Sequence, residues 1–391
     1  MQLDKDNPWP GLESFEEDSQ AFFFGRDHEI KLLRDHVLDS PVTVLYGRSG
    51  LGKTSLLRAG LFPLLRKPLQ GKRHFLPIAV RFELKPGAAP LIQQLHHAVR
   101  EVIQANADNP MLPSDEESLW EYLHRADFEL WCSQNHLLTP VIVLDQFEEL
   151  FTLGERVPDL VNDLRNALGD LAENRIPADL ATRIGENEDL ARRFDLRSRN
   201  YKLLISLRED FLPDLEGWCR LIPTLGRSRV RLLRLRTSEA VDAVHEPAAE
   251  MMTRELAQQI VGIVAGENLH PRHNPTSADA VVPDDHDEAT EVEPALLSLF
   301  CRELNEERKR RGLTQFDDGL VEDAKRDTLS NYYASCVRDL RPEVARFIET
   351  ELITEKGFRD SYICEDAVPA HITEEELDRL ISSRLVRLED R

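Results

Sequence analysis

The sequence predicts an α/β fold: a parallel sheet flanked by helices on both faces, followed by a mostly helical half. Three observations predict it. Four short runs are rich in apolar and β-branched residues: 41–46 (PVTVLY), 76–84, 140–144 (PVIVL) and 201–207 (YKLLISL). They read as continuous apolar runs, as strands buried on both faces must. Helical segments separate them, and strands that alternate with helices pair in parallel.

The elements follow in order. A turn-rich stretch, Asn7-Pro-Trp-Pro-Gly11, opens residues 1–40, and the aromatic run Phe22-Phe23-Phe24 leads into Gly25-Arg26. Asp27–Leu38 predicts an amphipathic helix with Ile30, Leu33 and Val37 on one face. After the first strand, 47–52 is a loop. A helix starts at Lys53 (KTSLLRAGLFPLLR) and is expected to bend near Pro63. Helices are predicted over 90–107 and 116–135. Residues 229–236 (RVRLLRLR) alternate like one short strand. Beyond Thr237 helices dominate, over 294–311 and 320–350, and 371–391 reads as a helix and then the start of a strand. Residues 270–294 are polar, acidic and proline-containing, which predicts a mobile insertion or linker. No repeat of solenoid or propeller period is present.

Size and composition narrow the classes. A chain of 391 residues fits two or three domains of ~100–200 residues. Hydrophobic residues at 41% and charged residues at 31% suit a soluble globular protein. The apolar runs are strand-sized, far from the ~20 residues that span a bilayer. The first residues, MQLDKDNPWPGL, do not resemble a signal peptide. A cytoplasmic protein with no membrane span is expected. Cys132, Cys219, Cys301, Cys336 and Cys364 are odd in number, widely spaced and without a CxxC. They read as free thiols in a reducing compartment. His96-His97 and His270/His273 lack partners at zinc spacing. A net charge of −22 repels phosphate backbones, so nucleic acid is not an expected partner. One basic cluster exists: Arg227, Arg229, Arg231, Arg234 and Arg236. It could contact nucleic acid or lend an arginine finger to a neighbouring subunit. An edge strand with solvated arginines is the favoured reading.

One motif carries the chemistry. Gly47-Arg48-Ser49-Gly50-Leu51-Gly52-Lys53-Thr54 matches G-x-x-x-x-G-K-[ST], between a strong strand and a strong helix. Glycines let the backbone wrap phosphate oxygens so that amide N–H groups point inward. The helix behind offers its N-terminal N–H groups to the same anion. Lys53 is expected to reach the β- and γ-phosphates and Thr54 to ligate magnesium, with Ser55 completing the cradle. The sheet is then that of a P-loop NTPase, with ATP or ADP and Mg2+ as its ligands. No Asn-Lys-x-Asp guanine reader is present, which favours ATP over GTP. Asp145 ends an apolar strand and can hold the metal through water. Glu148 or Glu149 could activate the attacking water. Both could equally be first-turn helix acids. Arg208 ends a strand near the ligand crevice and could sense the γ-phosphate. A solvated strand-end arginine is the alternative. Motifs of serine hydrolases, zincins, EF-hands and kinases are missing.

Together, Phe24-Gly25-Arg26, GRSGLGKTSLLRAGLFPLLR, VIVLDQFEELF and LISLREDFL resemble the STAND NTPases, in particular the bacterial novel STAND group, often fused to effector and repeat domains. Residues 293–305, EPALLSLFCRELN, are similar to that group's helical segment after the sheet. The resemblance covers most of residues 7–391. It implies a signalling switch, at rest as a monomer holding ADP or in another closed state. A ligand caught by a C-terminal sensor then permits ATP binding and self-association, which brings effectors together. Hydrolysis is slow in such proteins, and bacterial defence or stress signalling is the corresponding setting. By the same resemblance Arg26 lies beside the nucleotide. Asp145 with Glu148 and Glu149 matches a metal-plus-acid signature, Arg208 the sensor arginine, and Pro294 a proline that approaches the nucleotide.

The expected organisation is an N-terminal segment over 1–40, the NTPase domain over 41–236 and a helical domain over 237–314. A winged-helix-like domain over 315–391 is implied by the resemblance, without its histidine signature. No sensor repeat follows Arg391 and no effector precedes Met1. The expectation is a piece of a larger protein, or sensor and effector partners on separate chains. Two other functions compete with the switch. One is an initiator-type, AAA-like ATPase acting on nucleic acid; the other is a nucleotide-binding scaffold without turnover.

Overall fold

The computed structural model describes residues 3–67, 73–84, 87–114, 116–152, 157–265, 291–324, 337–338, 340–353, 362, 367–368, 370–382 and 386. Strands β1 (Val42–Gly47), β2 (Arg73–Val80), β3 (Leu137–Leu144), β4 (Lys202–Arg208) and β5 (Arg229–Arg231) form one sheet in the order β2-β3-β4-β1-β5. Every pairing in it is parallel.

Successive strand residues point to opposite faces, and the core divides accordingly. Ile142, Leu144, Leu203 and Ile205 belong to a cluster that includes Leu95, Val99 and Leu168 of the helices Leu91–Asn106 and Pro158–Glu173. Val141, Val143, Leu204 and Leu45 face the other way. They join Leu33 and Val37 of the helix Asp27–Asp39 and Leu56, Leu57 and Leu61 behind the glycine-rich loop. Both faces are buried, which is why these strands do not alternate in sequence.

A second cluster is helical. Thr237–His245, Arg254–Val264 and Pro294–Arg310 pack around Val244, Ile260, Phe300 and Leu304, and Trp9 from the N-terminus is sunk into the same cluster. β6 (Leu235–Arg236) and β7 (Glu291–Val292) pair antiparallel beside it. A third, smaller cluster gathers Val344, Phe347 and Ile348 of the helix Pro342–Glu351 with Ile372 and Leu380.

Several sequence expectations change. The helix expected over 116–135 is only Leu119–Leu123. Ser118 and Glu121 form a capping box that starts it. At its end the His124 ring bonds the Trp120 carbonyl and the Asn174 side chain. Arg125 and Trp131 then bridge Phe194 and Leu137, so the chain turns instead of coiling. The strand expected over 76–84 is shifted back to Arg73–Val80, because its partner β3 ends at Leu144 and the Asp145 N–H closes on the Val80 carbonyl. The single strand expected over 229–236 is two strands in two sheets. The break falls near Leu233, whose carbonyl accepts from Arg26. Near Pro63 the helix does not simply bend: Leu56–Leu61 has π pitch, and the Phe62 N–H reaches back five residues to Leu57. Proline has no N–H for the ordinary i−4 bond.

The insertion expected over 270–294 lies outside the described residues up to 290, and its last four residues form β7, Glu293 and a helix start. The helix expected over 320–350 is present at 318–324 and at Pro342–Glu351, and 325–336 lies outside the described residues. Glu374–Ser382 is helical, and the strand expected after it falls mostly outside them.

The arginines of β5 sit on the sheet edge and are paired, Arg229 with Glu216 and Arg231 with Glu209, each at 3.0 Å. Cys301 is buried, Cys132 and Cys219 are half-buried, and all three are free thiols. No helix among the described residues is long and apolar enough to cross a membrane.

Candidate nucleotide-binding site

Parallel pairing puts the carboxyl ends of β1, β3 and β4 side by side, with Gly47 opposite Arg208 and Leu144 opposite Ile205. The loops that leave those ends converge in a crevice of the kind where open α/β sheets hold ligands. The glycine-rich loop leaves β1. Gly50 and Gly52 hold φ of 81° and 83°, the left-handed region that glycine adopts without steric cost. A Cβ at Gly47 would meet the Leu232 carbonyl at 2.7 Å. Lys53 Nζ donates to the carbonyls of Gly47 (2.8 Å) and Arg48 (3.0 Å), which folds the loop back on itself. Burial pulls the Lys53 pKa down, while Glu148 and Asp145 oppose that pull.

Asp145 follows β3. The Thr54 hydroxyl donates to Asp145 Oδ2 at 2.8 Å, and Asp145 Oδ1 accepts the Gln146 N–H at 3.0 Å. Gln146 takes φ of 55°. That turn lets Phe147 return to the core, where its N–H bonds the Ser206 carbonyl, and leaves Glu148 facing the cavity. Glu148 Oε2 accepts the Arg208 N–H at 3.2 Å. Burial raises the Glu148 pKa above the usual carboxylate value, and the Lys53 charge pulls against the rise. Glu149 goes elsewhere: it is buried in an ion pair with Arg81 at 2.7 Å and does not reach the cavity wall.

The cavity measures about 530 Å³, within the usual range for small-ligand sites, ~300–1,000 Å³. One wall carries Ser49 to Ser55, Asp145, Gln146, Glu148 and Arg208. Arg208 also forms a two-pronged ion pair with Asp210 and lies 5.4 Å over the Phe211 ring. Gly47 and Arg48 are behind the wall, holding Lys53 through their carbonyls, and Arg48 pairs with Glu209 at 3.0 Å. Arg26 is almost fully buried and donates to the carbonyls of Leu51 and Leu233 and to Glu29, so it ties the glycine-rich loop to the segment after β5.

The opposite wall was not foreseen apart from Pro294 and Arg26. Trp9, Leu12 and Phe15, then Phe22, Phe23 and Phe24, then Leu235, Ala243 and Val244 line it, with Pro294, Ala295, Leu297 and Ser298 at the start of the last long helix. The Phe15 N–H donates to Ser55 Oγ at 3.1 Å and fastens the N-terminal segment to the P-loop helix. The signal in the sequence was the run of three phenylalanines in a polar stretch, which fits neither a strand nor a helix.

The donor set suits a magnesium nucleotide. Loop amides and Lys53 suit phosphate, and Thr54 and Asp145 are hard oxygen donors in mutual contact, the type magnesium takes. The Gln146 Oε1 and Ser298 Oγ atoms are buried at the cavity without a hydrogen-bond partner. A ligand would supply what they lack.

Fold and site define a P-loop nucleoside triphosphatase. The family model nSTAND1, Novel STAND NTPase 1, matches residues 8–390, and the chain belongs to that family. Nothing among the curated proteins matches. Among solved structures, the chain is similar to the Aeropyrum pernix ORC2 protein in its ADPNP-ADP complexes, at 15% identity and a TM-score of 0.47 over 93% of this chain and 87% of that one. It is similar to Cdc6p from Pyrobaculum aerophilum at 14% identity and a TM-score of 0.45, over 100% and 92%. The Aeropyrum pernix ORC1 protein in complex with DNA follows at 16% and 0.44, over 84% and 72%. Likenesses this distant assign no ligand or partner, and the expectation that nucleic acid is no partner gains no support from them.

Proposed function

We propose that the chain binds ATP and ADP with Mg2+ in this cavity, hydrolyses ATP slowly, and works as a switch whose nucleotide state governs how the helical half sits on the sheet. The observation that carries the reading is the double wall. The phosphate loop lines one side, and the start of the helix Pro294–Arg310 lines the other. An occupant therefore touches both halves at once. A ligand can shift an equilibrium only by its differential contacts with the two states, and this cavity offers such contacts.

Roles follow from placement. The loop amides from Ser49 to Lys53 and the Lys53 ammonium hold the phosphates. Thr54 and Asp145 are the residues that would hold magnesium, which when bound offsets phosphate charge. Glu148, buried and facing the cavity, accepts the proton of the attacking water. Its raised pKa makes it a better base than an exposed carboxylate. Glu149, spent on Arg81, has a structural role. Arg208 senses the terminal phosphate, but Asp210 holds its guanidinium in the state described, which supports slow turnover. The apolar wall from Trp9 to Phe24 and from Leu235 to Val244 takes the base. On this reading 1–40 belongs to the site, 41–236 is the NTPase domain, 237–314 the helical domain and 315–391 a winged-helix-like cap. Self-association in the triphosphate state, with sensor and effector partners, completes the switch.

The test is to purify the chain without added nucleotide, denature it and identify what is released, beside Lys53→Ala. Near-stoichiometric ADP in the wild type and none in the variant is the expected result. Losing Lys53 removes charge-assisted bonds to phosphate and is expected to weaken binding on the order of 100-fold. A wild type that arrives empty and takes up no ATP with magnesium sinks the reading.

A further inference from the structure

The geometry points to Glu293 as the residue that sets the preference between a nucleoside diphosphate and a triphosphate. The inference rests on the nucleotide reading of the cavity and adds a discriminating residue to it. Gly50 lines the cavity at the centre of the phosphate loop, with φ of 81°. An ideal Cβ on it would lie 2.8 Å from Glu293 Oε1 and 3.6 Å from the Ala295 methyl. A carboxylate oxygen thus rests against the bare α-carbon of the loop that collects phosphate.

The backbone of Glu293 is held from both sides. Just before it, Val292 is paired with Leu235 in the two-stranded sheet. Just after it, Pro294 begins the long helix, and the Leu297 N–H closes on the Glu293 carbonyl. The side chain does not cap this helix. Among the described residues it makes no hydrogen bond or ion pair. A negative charge near a helix N-terminus is favourable in itself. That would serve equally well with the carboxylate turned to solvent, so it does not explain the seat on Gly50.

The consequence is electrostatic. Glu293 does not itself line the cavity; its carboxylate lies against Gly50, which does. A triphosphate brings one more negative charge to the loop than a diphosphate, so a carboxylate beside the loop weighs more heavily against it. Seating the longer ligand favours withdrawal of Glu293, which carries Pro294 and the helix start with it. The same contact would let the helical half register which nucleotide is bound.

The experiment is calorimetric titration of the full chain with ADP and with a non-hydrolysable ATP analogue, both with magnesium. The proteins are the wild type, Glu293→Gln, Glu293→Asp and Glu291→Gln. Removing the charge is expected to strengthen both ligands, the analogue about three- to tenfold and ADP by a clearly smaller factor, so that the ratio of the two affinities moves toward the triphosphate. The gap should narrow as salt is raised. Glu293→Asp should stay near the wild type. Glu291 is an exposed acid two residues away, paired loosely with Arg234 at 4.0 Å, and its variant should leave the ratio unchanged. An unmoved ratio in Glu293→Gln, or an equal shift in Glu291→Gln, overturns the assignment and leaves nucleotide binding intact. A wild type that binds neither ligand overturns the nucleotide reading, and this inference with it.

Discussion

The two walls of the cavity were built by different kinds of information. The sheet wall comes from three short segments, 49–55, 145–148 and 208, each at or just after the end of a strand. Its side chains are fixed by bonds within the wall and its backing: Lys53 to Gly47 and Arg48, Thr54 to Asp145, Glu148 to the Arg208 backbone. The other wall is assembled from residues 9, 11–15, 22–24 and 26, from 235, 243 and 244, and from 294, 295, 297 and 298. It stands because Trp9 is sunk into the helical cluster and because Arg26 clamps carbonyls on either side of it. The difference teaches where specificity resides. Phosphate chemistry demands fixed residue types at fixed spacing, so it leaves a motif. An apolar wall demands only shape and burial, which many sequences satisfy.

The largest effect expected on that comparison comes from the sheet wall. Glu148→Gln should lower the hydrolysis rate ~10²–10⁴-fold, the usual contribution of a positioned general base. Nucleotide should still bind. Glu149→Gln should leave the rate near that of the wild type and loosen the contact with Arg81. Single-turnover hydrolysis of radiolabelled ATP separates the two, and equal losses in both variants would mean that Glu148 has no role that Glu149 lacks. The pH dependence carries a sign. Burial raises the Glu148 pKa, so its protonated form is favoured in the fold and its base function should fade, as pH falls, above the usual carboxylate value. For stability the sign is the reverse. As pH rises past the ordinary carboxylate value, the cost of ionising a buried acid builds up, and it is fully present above the raised pKa, so Glu148→Gln should be no less stable than the wild type at neutral pH.

A smaller effect on nucleotide, with a larger one on folding, is expected from the opposite wall. Trp9 is 3% exposed, sits edge-on to Phe316 at 6.0 Å and lines the cavity. Trp9→Ala should cost about 3–5 kcal/mol of stability, seen as a lowered Tm. If this wall takes the base, the folded fraction should bind ATP more weakly while holding inorganic tripolyphosphate as tightly as before. A loss shared equally by both ligands would place Trp9 in the phosphate half and erase the comparison.

The sequence was legible where physical demands are local. The strands expected over 41–46, 140–144 and 201–207, observed at Val42–Gly47, Leu137–Leu144 and Lys202–Arg208, could be read because burial on both faces leaves unbroken apolar runs. The P-loop could be read because glycine at a left-handed position and a lysine at the helix start have no substitutes. What was illegible depended on partners far along the chain. The helix expected over 116–135 stops at Leu123 because residues 125 and 131 find bridges at 194 and 137. The alternation at 229–236 hid two strands, since alternation says that one face is buried but not against which sheet. Glu148 and Glu149 were indistinguishable as neighbouring acids. Their separation depends on the Gln146 turn and on Arg81, 68 positions before Glu149.

The smallest expected effect belongs to Asp210, on the sheet wall, and it sharpens what the P-loop motif left open. Arg208 is poised at the end of β4, yet both prongs of its guanidinium are taken by Asp210. The pair is partly exposed, at 26% and 51% for the two side chains, so water screens it and its worth lies near 0.2–1 kcal/mol. Asp210→Asn should therefore release Arg208 at little cost. Triphosphate affinity should rise by no more than about fivefold, with ADP, which has no γ-phosphate for Arg208 to meet, left unchanged. The same variant in an Arg208→Ala background should have no effect, because the guanidinium is then gone. Titration of all four proteins forms a double-mutant cycle. A gain that persists without Arg208 would mean that Asp210 acts through its own charge beside Lys53, and Arg208 would lose its role as the sensor of the terminal phosphate.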